Sequence, residues 1–155
     1  MTLLRGHGLS IELPPGWEGR IFVPDLPPPA VNFPTLHATD RGITMSRSTF
    51  ASELAERVGA AGTLVVLVEF DPALANVGLF ERAGLDLPIP RDHLHPNALQ
   101  IPNPAQEGHQ RFFSSRDRAF CLYLVAGTAP GLTARLGRVN DLLATLEVAP
   151  LRRTA

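Results

Sequence analysis

Apolar and polar positions alternate strictly over residues 9 to 13, LSIEL, with Leu9, Ile11 and Leu13 on one side and Ser10 and Glu12 on the other. A period of two is that of a strand with one buried face. Pro14 and Pro15 stop this strand and Gly16 permits a turn. After Trp17 the run GRIFV (19–23) supplies a second strand, so the opening reads as a hairpin or a corner. At such a junction the large indole of Trp17 is expected to cover an end of the core.

The segment 24–34 carries five prolines and reads as a loop or an irregular edge. TLHAT (35–39) and ITMSR (43–47) flank the turn-like DRG and suggest a hairpin. The stretch 48–59 then predicts a short amphipathic helix. Ser48 or Thr49 would be its N-cap, Phe50, Leu54 and Val58 its apolar stripe, and Gly59 its end. TLVVLVEF (63–70) is apolar at nearly every position, the mark of a strand covered on both faces.

From 71 to 84 the punctuation is helical: Asp71 as N-cap, Pro72 at the first helical position, Gly84 past the end, and Leu74, Val77 and Phe80 as the inner stripe. Residues 86–104 have five prolines and no period, which reads as a long loop with apolar anchors. HQRFFSSRDRAFCLYLVAG (109–127) gives a strand, a turn at SSRD, and a second strand apolar on both faces that should lie beside 63–70. Leu132, Leu136, Val139 and Leu143 set a final helix over 131–143, followed by a terminal strand in ATLEVAPL and a frayed tail at 151–155.

The two ends of this order, LSIELPPGWEGRI with its strand, proline, glycine, tryptophan and second strand, and LGRVNDLLATLEV with its helix running into a last strand, resemble the PsbP/Mog-type domain. The resemblance implies an α+β fold, a mainly antiparallel sheet covered by helices as an α/β/α sandwich. It implies binding or accessory roles in larger assemblies, and it carries no catalytic motif to transfer. The expected organisation is a single domain over residues 1–150.

At 155 residues such a domain buries about 68–70% of its unfolded surface, enough for a core without a metal or disulfide. Hydrophobic residues at 45% and charged residues at 19% exclude a disordered chain. All 14 basic residues are Arg, as GC-rich codons favour, so a high-GC bacterial source is expected. These arginines form no basic stripe, which argues against a nucleic-acid partner. The longest apolar run, TLVVLV, is far shorter than the roughly 20 residues of a membrane-spanning helix. The N-terminus has no signal-peptide pattern, and the expected location is cytoplasmic.

Candidate chemistry is sparse. Asp92, His93 and His95 in RDHLHP contain an H-x-H pair that could offer two metal ligands, with Glu107, His109 or Asp86 as further donors. A proline-flanked loop with two solvated imidazoles is the simpler expectation. Cys121 and His109 could form a nucleophile and base, yet the apolar flanks of Cys121 predict a buried, inert thiol. Gly6 and Gly8 precede a strand where a dinucleotide fingerprint would follow one, and a phosphate-binding lysine is impossible in a chain without lysine. No cofactor is expected. The sequence therefore points to a non-catalytic interaction domain, an accessory or structural subunit of a larger bacterial assembly. It would engage a protein partner or a second copy through Ile89, Arg91 and Leu94 of the 86–104 loop. The alternative is a small ligand- or metal-binding protein or enzyme, with its pocket beside that loop.

Overall fold

Two-residue turns with both residues in the left-handed region shape the molecule, because their twist matches that of the paired strands. In the computed structural model, which describes residues 1–29, 32–42 and 52–151, the first such turn is His7–Gly8 (φ 50° and 77°). It joins β1 (Thr2–Gly6) to β2 (Leu9–Leu13) in an antiparallel hairpin. The segment 14–17 then turns a corner, and β3 (Glu18–Phe22) enters a different sheet. Trp17 sits at this corner, 9% exposed and packed into the main core.

The chain continues through β4 (Thr35–Thr39), α1 (Ser52–Val58), β5 (Thr63–Phe70), β6 (Gln106–Ser115), β7 (Arg118–Gly127), α2 (Leu132–Ala144) and β8 (Glu147–Val148). The β6–β7 turn, Arg116–Asp117, is again left-handed at both residues (φ 52° and 59°). Five strands form an antiparallel sheet in the order β3-β4-β5-β7-β6, and three form a second in the order β1-β2-β8. β5 and β7, the runs apolar on both faces, are neighbours at its centre.

Alternate residues of the large sheet feed two cores. On one face Leu36, Leu67, Leu122 and Leu124 meet Leu9, Ile11 and Leu13 of β2 and the stripe Leu136, Val139 and Leu143 of α2. On the other, Leu64, Val66 and Tyr123 meet Leu54 and Val58 of α1. The expected helix-covered α/β/α sandwich is therefore incorrect. The architecture is two antiparallel sheets with one long helix among the described residues, and β2 shares with α2 the covering role that the sandwich assigned to helices.

The helix expected over 71–84 is also absent. Asp71 does cap, accepting from the Ala73 N–H, and Pro72 opens a single 3₁₀ turn. The chain then turns left-handed at Asn76 (φ 67°) and Gly78 (φ 56°). Ser114 of β6 holds both sides of this break, accepting from the Asn76 N–H at 2.8 Å and donating to the Phe80 carbonyl at 2.6 Å. Phe80 packs on Phe70 and Phe112. These tertiary contacts outweigh local helix punctuation. The strand expected at Ile43–Arg47, and the expected caps Ser48 and Thr49 with Phe50, lie outside the described residues.

Candidate functional site

The 86–104 segment is anchored to its own domain. Ile89 and Leu94 are 2% and 4% exposed and belong to the main core, so both side chains point away from any partner. The side chain of Asn140 on α2 fixes the loop by mimicking a strand. Its Oδ1 accepts from the Ile89 N–H at 2.7 Å and its Nδ2 donates to the Ile89 carbonyl at 3.1 Å. Farther along, His95 and Gly108 exchange two backbone hydrogen bonds, adding one rung to the edge strand β6. Arg91 stays at the surface and pairs with Glu107 at 2.7 Å.

The loop histidines do not converge. His93 stacks on His109 with ring centroids 5.8 Å apart, while His95 Nδ1 accepts from the Asn97 N–H within its own turn. Asp92 is exposed, and Asp86 is paired with Arg82. Among the described residues no three His, Cys, Asp or Glu side chains gather into a metal-binding group. The small pocket beside the loop, between Leu99, Gln100, Ile101 and Tyr123, amounts to about 30 Å³, room for roughly one or two water molecules.

Cys121 and His109 point to opposite faces of the sheet. Cys121 lies opposite Phe112, and His109 opposite Leu124 in the main core. Burial pushes the Cys121 thiol up to about 11, which removes its thiolate at neutral pH. The His109 ring is held at Nδ1 by the His93 carbonyl, and burial with the neighbouring Arg111 charge lowers its pKa.

Sequence reasoning passed over a buried ion pair. Arg118 and Glu69 have side chains 1% and 2% exposed and meet through two hydrogen bonds of 2.9 and 2.6 Å. The only sequence signal is a Glu and an Arg at the ends of two strands expected to be adjacent.

The feature with binding chemistry is the outer edge of β6. In an antiparallel strand, every second residue turns its N–H and C=O away from the partner strand. On β6 these are Gly108, Gln110, Phe112 and Ser114. Gly108 is paired with His95, and Ser114 exchanges backbone bonds with Arg82 and Gly84. Gln110 and Phe112, between them, have no backbone partner on this side among the described residues. Over this gap opens a cleft of about 650 Å³, walled by Gly78 to Arg82 and floored by His109 to Phe112. Leu79 stands at its rim with 70% of its surface exposed. Arg111, part of the floor, donates to the Asp86 carbonyl.

No protein-family model, curated protein or solved structure matches the chain at a significant level.

Proposed function

We propose that this domain is a non-catalytic protein-interaction module, an accessory subunit of a larger bacterial assembly, and that its docking face is the rim formed by residues 74–82 against β6. The observation that carries this reading is the position of Leu79. It is a large apolar side chain left in water on a short turn that Ser114, Phe70 and Phe112 hold in place. Leu74 and Val77, 43% and 55% exposed, extend the same segment. Had the segment formed the helix its sequence suggests, Leu74 and Val77 would have turned inward with Phe80. A fixed apolar rim beside open backbone groups is the composition of a recognition surface.

The reading moves the docking face away from Ile89, Arg91 and Leu94. No described helix is long and apolar enough to cross a membrane. A photo-crosslinking amino acid placed at Leu79, and separately at the exposed control position Glu12, tests the proposal in the source cells. Leu79 should yield a discrete protein adduct that Glu12 does not. Adducts from both positions, or from neither, overturn it.

A further inference from the structure

We propose that the gap in the edge of β6 is a strand-addition site, which takes an extended segment of a partner protein as a short sixth strand beside Gln110 and Phe112. The inference rests on the docking face proposed above and names the chemistry of its occupant.

Edge strands are usually blunted by charge, proline, bulges or a covering segment, because their free N–H and C=O groups pair with any extended chain. β6 is covered at both ends, by His95 at Gly108 and by Arg82 to Gly84 at Ser114, and among the described residues it is left open between them. At Gln110 and Phe112 themselves the strand carries no charge and no proline, and the nearest charge, Arg111, is engaged by Asp86. Gln110 is uncharged and exposed, and the Arg111 side chain is 11% exposed and turned toward Asp86. Gly108 and Ser114 are six residues apart, about 20 Å of strand, so three to five residues fit between the two covering segments. The occupant would offer two donors and two acceptors to the backbone of Gln110 and Phe112. Residues opposite these two positions share their face of the sheet. An apolar side chain opposite Phe112 would therefore join the Phe70, Phe80 and Phe112 cluster.

The occupant is not the β6 of a second copy. That strand carries the same covering segments at Gly108 and Ser114, and the two sets would collide. A flexible, extended partner segment has no such obstruction.

The test uses the whole chain, immobilised and panned against phage-displayed random linear heptapeptides. Recovered peptides are synthesised and titrated against three forms. Gln110→Pro removes one outward N–H at a position where an edge strand accepts proline, and Gln110→Ala removes the side chain and keeps the amide. Enriched peptides should bind wild type and Gln110→Ala alike, and Gln110→Pro at least about tenfold more weakly, the scale of one backbone hydrogen bond. Should Gln110→Pro fail to fold, amide exchange on the wild type decides. Peptide must slow the Gln110 and Phe112 amides about tenfold or more and leave the already bonded Gly108 and Ser114 amides unchanged. Equal binding to Gln110→Pro, unchanged exchange at Gln110 and Phe112, or no enriched peptide overturns strand addition. The crosslink at Leu79 judges the docking face separately, because a partner held by side chains alone would still yield that adduct.

Discussion

Arg118 holds Glu69 in a two-pronged grip across β7 and β5, and the same guanidinium donates to the carbonyls of His7, Gly8 and Ala149. One side chain thus joins the large sheet to the β1–β2 turn and to the chain just beyond β8. The ion pair is buried, so removing one partner leaves an uncompensated charge, whereas removing both costs much less.

Arg118→Met should destabilise the domain by about 3–5 kcal/mol. The double variant Arg118→Met with Glu69→Leu should recover part of this loss and stop short of wild type, because the three carbonyls remain without their donor. Urea midpoints of the four proteins in the cycle check this. Full recovery in the double variant would show that the carbonyl contacts contribute nothing.

Trp17 closes the corner between the two sheets. Trp17→Ala should cost about 3–5 kcal/mol, read as a lowered denaturation midpoint. A loss below about 1 kcal/mol would place the ring outside the core that its burial indicates.

Burial lowers the pKa of His109. Its Nδ1 donates to the His93 carbonyl, and its buried Nε2 has no hydrogen-bond partner among the described residues. With the folded pKa lowered, mainly by burial and then by Arg111, the unfolded chain binds the proton more readily. Stability is therefore complete above the unfolded value near 6.5 and declines as the pH falls through it toward the folded value. Between pH 7.5 and 5.5 the urea midpoint of wild type should fall more than that of His109→Leu. Parallel profiles would remove His109 from the pH response.

Asn140 clamps the loop through Ile89. Asn140→Ala leaves two backbone groups of Ile89 without partners and should cost about 1–3 kcal/mol, with cleavage by a broad-specificity protease appearing first within residues 86–104. Asn140→Asp keeps the acceptor for the Ile89 N–H and loses the donor, so its effect should be intermediate.

Much of the large sheet was legible because its signals are local. The nearly continuous apolar run of 63–70 and the run of 119–126 marked two strands covered on both faces, and β5 and β7 are paired. Gly59 and Gly131 stand at helix ends, both at positive φ. The segment 71–84 was misread for the complementary reason. Its N-cap Asp71 is genuine, yet Ser114, some 38 residues from Asn76, decides where the chain breaks. β1 escaped notice because TLLRG carries no alternation, and its strand state follows from pairing with β2. The open edge at Gln110 and Phe112 has no sequence signal at all. Whether a strand lies at an edge depends on the order of the whole sheet, and which part of that edge is covered depends on loops 13 to 32 residues away.

The pairing of β2 with β8 gives the molecule a late-closing seam during synthesis. The β1–β2 hairpin is made with Leu9, Ile11 and Leu13 already on one face, but the helix that helps cover it and the strand that borders it follow only after β7. Until residues 132–149 emerge, that apolar face has no α2 against it and Arg118 lacks its Ala149 acceptor. The apolar face of the hairpin therefore stays incomplete until the chain beyond β7 has been made, and a chain halted before α2 would leave that face in water.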